Sequence, residues 1–260
     1  MESGKIKLAS ILARHAPLAV ALSGGVDSTF LLAMARDTLE DQVIALTSVS
    51  PLHAERELAD ARAIAAELGV AHIAVQTNRL KVPGFVMNRR DRCYICKTVL
   101  WQEFSAEAQK NGISHVADGV CVDDLNEFRP GIAAGREQGI LSPLAEAGFT
   151  KADIRAYSKK KGLFTWDKPA GTCLATRIPA GTPITPERLN MVAQAESVLH
   201  NEGFTQCRVR LHDTLARIEV PPENITMLAE PDTRTAIDAE LKKIGFCHVS
   251  VDMDGYRNNK

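Results

Sequence analysis

Short continuous apolar runs alternate along the chain with longer stretches of helical spacing. Pro17-Leu-Ala-Val-Ala-Leu22 is unbroken, as a strand buried on both faces would be, and Gln42–Thr47, Val70–Val75 and His115–Asp118 repeat the form. Between them, His53–Leu68 carries Ala54, Leu58, Ala61, Ile64, Ala65 and Leu68 at the three- and four-residue intervals of an amphipathic helix, and Gly69 follows where a C-cap glycine belongs. Further helices are predicted over 29–35, 94–110 (closed by Asn111-Gly112) and 150–161, the last opened by Thr150 with Asp153 three residues on, close to a capping box. Strands alternating with helices predict an α/β fold with a doubly wound parallel sheet.

The stretch Lys168–Pro186 is rich in proline, glycine and threonine and reads as irregular. It places a boundary between a nucleotide-type domain over 1–182 and a small α+β domain over 183–260. In the latter, a helix over 187–202 stops at Gly203, strands Gln206–His212 and Leu215–Val220 turn around Asp213, a helix over 233–244 ends at Gly245, and Phe246–Asp252 is a last strand. An αββαβ module of this size is marginal alone and is expected to pack on the first domain or on a neighbouring subunit.

Charge narrows the classes. Lys and Arg total 31 against 32 Asp and Glu, a net charge of −1 that argues against a long nucleic-acid groove. No apolar run approaches the roughly 20 residues that span a bilayer, and Met1-Glu-Ser-Gly-Lys5 is not followed by a signal-type core. A soluble cytoplasmic protein is expected, and its six cysteines then read as metal-binding or reactive rather than disulfide-bonded.

The candidate chemistry begins at Ser23-Gly-Gly-Val-Asp-Ser-Thr29, set between a strand and a helix. Glycines let backbone approach a ligand, while two serines, a threonine and the first helical N–H groups favour an anion. The terminal lysine of a Walker loop is missing, so this is not the loop of an ordinary phosphate-gripping kinase. Cys93-Tyr-Ile-Cys96 is a C-x-x-C followed by Lys97; its spacing alone fits half a zinc site, a redox pair or part of an iron–sulfur site. Cys173 lies in irregular Pro169–Pro179 with Arg177 nearby to support a thiolate. Three such ligands would leave one corner of a four-iron cluster open. Cys207 and Cys247 read as small apolar groups within strand patterns, and Cys121 as a loop residue. Arg208 and Arg210, two apart on a strand, share a face suited to a phosphate, with Glu219 on the partner strand and Glu196 on the preceding helix.

The S-G-G-x-D-S loop resembles the PP-loop of the N-type ATP pyrophosphatases, which implies that Asp27 helps hold Mg²⁺ while Ser23, Gly24, Gly25, Ser28 and Thr29 cradle pyrophosphate. With Asp118-Gly119, Asp124–Gly131, the Cys173 segment and Arg208-Val-Arg210 following in order, the chain from about Lys7 to Tyr256 resembles the LarE family. Those are ATP-dependent sulfurtransferases of nickel-pincer nucleotide synthesis. The resemblance implies adenylation of a pyridinium dicarboxylate mononucleotide and attack by Cys173 to leave a thiocarboxylate. It also implies nucleotide contact by Arg129, phosphate-charge stabilisation by Lys97, and substrate binding by Arg177, Arg208, Arg210, Glu196 and Glu219, with the acidic residues at a subunit interface. Arg257 is a further candidate. Members with one active cysteine lose its sulfur and keep dehydroalanine. This chain resembles instead the three-cysteine branch, which can carry a [4Fe–4S] cluster on Cys93, Cys96 and Cys173; the resemblance implies sulfur either from Cys173 itself or from sulfide on the open iron, which would spare Cys173. The implied cofactors are ATP, Mg²⁺ and that cluster; the implied partners are the small pyridinium nucleotide and further copies of the chain, a hexamer among the forms, with no nucleic acid and no membrane. The rivals are a PP-loop tRNA thiolase, an amide-forming NAD or GMP synthetase-like ligase, and a nucleotide-binding regulatory module without turnover.

Overall fold

The computed structural model describes residues 2–126, 129–169 and 171–256. Arg257 lies outside them. The chain divides into two compact units, Met1–Phe85 with Asp91–Gly171, and Val86–Arg90 with Thr172–Lys260. The change of unit at Gly171–Thr172 comes earlier than the 182/183 division expected from composition.

The first unit contains strands β1 (Leu18–Ala21), β2 (Val43–Val49), β3 (Ala71–Gln76) and β4 (His115–Ala117). They form a parallel sheet in the order β3-β2-β1-β4, with Leu18 opposite Val43 and His115, and a bridge from Ala117 to Leu141 extends it. Its helices are α1 (Glu2–Arg14), α2 (Val26–Leu39), α3 (Glu55–Glu67), α4 (Pro83–Val86, running into the second unit), α5 (Arg92–Lys110), α6 (Val122–Leu125), α7 (Pro130–Glu137), α8 (Pro143–Ala147) and α9 (Lys151–Lys161). Alternation along each strand decides the layers. Leu18 and Val20 of β1 join one core with Leu8, Leu12, Phe30, Leu31 and Ile64, whereas Ala19 and Leu46 join the other with Trp101, Phe104 and Val116. A sheet covered on both faces puts its ligand crevice beyond the strand carboxyl ends.

Hydrophobic spacing found every strand of this sheet and the long central helices. The capping box at Thr150 is present, with Asp153 N–H donating to Thr150 Oγ1 at 3.1 Å. α1 and the short α6, α7 and α8 were not predicted; the short ones are too brief to show a period.

The second unit contains α10 (Pro186–Asn201), β5 (Arg208–His212), β6 (Leu215–Glu219), α11 (Ile225–Ala229), α12 (Pro231–Ile244) and β7 (His248–Val251). β5 and β6 run antiparallel, with Arg208 opposite Glu219 and Arg210 opposite Arg217, and β7 lies parallel to β6. α10 packs on α12 and on β5. Val86–Arg90 belongs here because the amide of Asn88, fully buried, donates to the carbonyls of Ile178 (3.3 Å), Pro179 (2.7 Å) and Thr182 (2.9 Å). Cys207 is buried as expected, but Cys247 is exposed, because it precedes β7 instead of facing inward from it.

Candidate active site

β1 delivers the chain into a fixed turn. Leu22 N–H donates to Leu46 O at 2.8 Å, and Thr47 Oγ1 donates to Leu22 O at 2.7 Å. With that one hydroxyl proton committed, His72 Nε2, 2.8 Å from Thr47 Oγ1, is the donor to it. Gly24 takes φ +72°, a left-handed value that a side chain would strain, and Gly25 is the extended N-cap of α2. The Ser23 and Ser28 hydroxyls lie 3.0 Å apart, and Ser28 Oγ reaches Gly25 O at 3.2 Å. Thr29 is only 2 % exposed and its Oγ1 has no hydrogen-bond partner. The leading N–H groups of α2 have no acceptor one turn back. Orphaned donors, two serine hydroxyls and a helix N-terminus together make an anion cradle.

Carboxylates surround that cradle. Burial pushes the Asp27 carboxyl above its ordinary range, and the charge of Asp124 adds to this, while Lys151, Arg155 and Arg129 oppose it. Burial would raise Asp124 as well, but Lys151 at 2.8 Å, the Cys121 N–H at 3.1 Å and Arg129 at 2.9 Å outweigh it and hold Asp124 below the usual value. Asp118 is raised by burial against the pull of the Ser142 hydroxyl (2.8 Å), the Val120 N–H and Lys97. Asp27, in the first turn of α2 and reluctant to ionise, is a hard oxygen donor that a divalent cation would relieve, so its chemistry fits Mg²⁺. Gly119 brings the end of β4 against the start of α2: a Cβ there would meet Ser28 N at 2.9 Å and the Asp27 carbonyl carbon at 3.1 Å. Lys97 lies over the Trp101 ring at 4.8 Å, and its stem passes where Gly131 has no side chain.

In the second unit Cys173 caps a short 3₁₀ turn, Leu174–Arg177. Arg177 locks that turn. Its Nε and one terminal nitrogen donate to the two oxygens of Glu196 at 2.7 and 3.1 Å; the other donates to Thr172 O (3.1 Å), Thr172 Oγ1 (2.5 Å) and Thr176 Oγ1 (2.9 Å). Glu196 also accepts from Val209 N–H at 3.1 Å, which ties the turn to β5. Arg210 forks onto Glu219 at 2.8 and 3.1 Å and donates to Thr176 O, while Arg208 stacks over Tyr256 at 4.1 Å. Glu196 and Glu219 are both buried within this unit.

Cys93 and Cys96 stand one turn apart at the start of α5 in the first unit, Cys173 in the second, and none of the three is in a disulfide. Among the described residues no three His, Cys, Asp or Glu side chains gather to hold a metal ion, and no helix is long and apolar enough to cross a membrane.

Comparison with known proteins gives this arrangement a family. Residues 8–88 match the family described as asparagine synthase, which shares the PP-loop domain. An uncharacterized protein of Synechocystis sp. is 42% identical over 93% of this chain and 90% of its own length. The pyridinium-3,5-bisthiocarboxylic acid mononucleotide synthase of Lactiplantibacillus plantarum is 36% identical over 93% of this chain and 87% of its own. The chain belongs to the LarE family. An uncharacterized protein of Methanocaldococcus jannaschii is 28% identical over 94% of the chain. Membership of the LarE family makes this an ATP-dependent sulfur-transfer enzyme with a PP-loop domain.

Of the residues singled out from the sequence, Ser23, Gly24, Gly25, Asp27, Ser28 and Thr29 form one turn, and Arg129 and Lys97 carry charge toward Asp27 and Asp118 respectively. Arg177, Glu196, Arg210 and Glu219 are gathered around the Cys173 turn and β5. Sequence reasoning missed Lys151, Arg155 and Lys168. Lys168 lies 144 residues from the glycine it touches, beyond the reach of any local pattern. Asp124 was visible inside the LarE-like stretch Asp124–Gly131, though not as the charged neighbour of Asp27.

Proposed function

We propose that the chain uses ATP to adenylate a carboxylate of a pyridinium dicarboxylate mononucleotide and converts it to a thiocarboxylate. The observation that carries the reading is the anion cradle with half-buried Asp27 in the first turn of α2. A carboxylate resists nucleophiles because it is charged. When its oxygen attacks the α-phosphorus of ATP, the bond to the β-phosphate oxygen breaks and pyrophosphate leaves into the Ser23–Thr29 turn. Asp27 would hold Mg²⁺, which supplies charge neutralisation at the phosphates. Lys97 and Arg129 would stabilise the remaining phosphate charge. The resulting acyl-adenylate is neutral at the reacting carbonyl and carries AMP as a good leaving group. Arg208 and Arg210 would bind the phosphate of the substrate.

Cys93, Cys96 and Cys173 are the thiolates that would hold a [4Fe–4S] cluster, and the chemistry such a group would supply is sulfide in place of a cysteine sulfur. The sulfur source then turns over, and Cys173 keeps its own sulfur. The test is anaerobic turnover with ATP and the pyridinium substrate, reading pyrophosphate, product mass and protein mass together. Pyrophosphate with repeated thiocarboxylate formation and an unchanged chain is expected. A chain lighter by one hydrogen sulfide at Cys173 would mean sacrifice of the residue instead. Absence of pyrophosphate would remove the adenylation step.

A further inference from the structure

The phosphate turn lacks the lysine that a Walker loop carries at its end, yet a lysine reaches it from elsewhere in the same unit. Lys168 Nζ donates to Gly24 O at 2.9 Å and to Asp60 Oδ2 at 2.6 Å. Its backbone is held as well. Arg155 of α9 donates to Trp166 O (2.9 Å) and Lys168 O (3.0 Å), and Lys168 N–H closes a turn onto Thr165 O. The ammonium, on a side chain 31% exposed, is therefore held in place by two acceptors.

Two consequences follow from elementary geometry. In a trans peptide the carbonyl and the next N–H point to opposite sides. Anchoring Gly24 O on Lys168 turns the Gly25 N–H the other way, and that N–H faces the Ser23 hydroxyl at 3.4 Å, inside the anion cradle. Second, Gly24 lies against α3, where a Cβ would be in van der Waals contact with the Asp60 Cβ at 3.5 Å. Without Lys168, the Asp60 carboxylate would place a bare negative charge beside a turn built for anions.

We propose that Lys168 is a positioning residue of the phosphate turn: it orients the Gly24–Gly25 peptide toward pyrophosphate and cancels Asp60. This rests on the reading of the turn given under Proposed function. It predicts discrimination by ligand, since a ligand whose anion fills the turn depends on Lys168 and one held mainly by its base does not. The experiment is calorimetric binding of inorganic pyrophosphate, ATP and AMP to the full chain with Mg²⁺, in wild type and in Lys168→Met, Lys168→Arg and Asp60→Asn. Lys168→Met is expected to weaken pyrophosphate and ATP about tenfold or more, the order of one charge-assisted hydrogen bond, with AMP affinity and melting temperature close to wild type. Lys168→Arg should restore most of the loss, because it keeps charge and donors. Asp60→Asn should bind pyrophosphate at least as tightly as wild type, because the ammonium is then uncompensated. Unchanged pyrophosphate affinity in Lys168→Met overturns the proposal, as does an equal fall in AMP affinity, which would mark general damage. Wild type that binds no pyrophosphate would overturn the phosphate-turn reading itself, and this inference with it.

Discussion

The Arg177–Glu196 pair offers the sharpest test of how the Cys173 turn is held. Arg177 is 6 % and Glu196 8 % exposed, and two near-parallel hydrogen bonds join them. Glu196→Ala removes both acceptors from a buried guanidinium and leaves the Val209 N–H without its partner. Breaking one side of a buried ion pair costs about 3–5 kcal/mol, because the surviving charge keeps its desolvation penalty. That is a large share of the roughly 5–15 kcal/mol that holds a domain together. The double variant Arg177→Met with Glu196→Leu removes both charges, so it should cost much less than the two single variants summed. The structure supplies the assay. Both tryptophans, Trp101 and Trp166, lie in the first unit. In urea titrations, tryptophan fluorescence follows the first unit while far-ultraviolet circular dichroism follows both. Glu196→Ala should move the circular-dichroism transition to lower urea and leave the fluorescence transition near wild type. A loss below about 1 kcal/mol, or a double variant as costly as the sum of the singles, would refute the reasoning.

Gly119→Ala drives a methyl to 2.9 Å from Ser28 N, so the start of α2 must shift; overpacking of about 1–3 kcal/mol and weaker ATP binding are expected, measurable by thermal melts and calorimetry. Asp27 has a raised carboxyl pKa in the fold, so its contribution is fully favourable below the unfolded value and is lost as pH rises through the folded one. Asp27→Asn should therefore raise the melting temperature of metal-free protein near pH 7 and flatten its fall from acid to neutral pH, while abolishing pyrophosphate release; an Asn variant less stable at pH 7 would contradict this. Cys121 is buried, and burial, with help from the charge of Asp124, pushes its thiol up to about 12. Iodoacetamide at pH 8 should modify the exposed Cys93 and Cys247 and spare Cys121 until the chain is unfolded, as peptide mapping would show.

The parallel sheet was legible because its strands are buried on both faces and so read as unbroken apolar runs, and because Gly69 and Thr150 mark helix ends by their backbone chemistry. The Ser23–Thr29 turn between β1 and α2 was legible because one short segment supplies most of its atoms. The charged surroundings were not. Lys151 and Asp124 belong to different helices, and Lys168 meets Gly24 only after the chain has crossed the whole sheet. Arg177 could be named from its closeness to Cys173 in sequence, but its role in fixing that turn depends on Glu196, whose helix is placed by packing rather than by any local signal. Arg208 and Arg210 illustrate the same limit: period two puts them on one face, yet one forks onto Glu219 and the other stacks on Tyr256.

The insertion of Val86–Arg90 into the second unit bears on how the chain is made. Asn88 leaves the ribosome some eighty residues before Thr172, where the remainder of its unit begins. At about 5–20 residues per second, that segment waits roughly 5–19 s for the carbonyls of Ile178, Pro179 and Thr182. A gene fragment beginning at Thr172 would encode the second unit without its buried amide. Expressed alone, such a fragment would leave three carbonyls unanswered, so the boundary for any excised version cannot be drawn with a single cut.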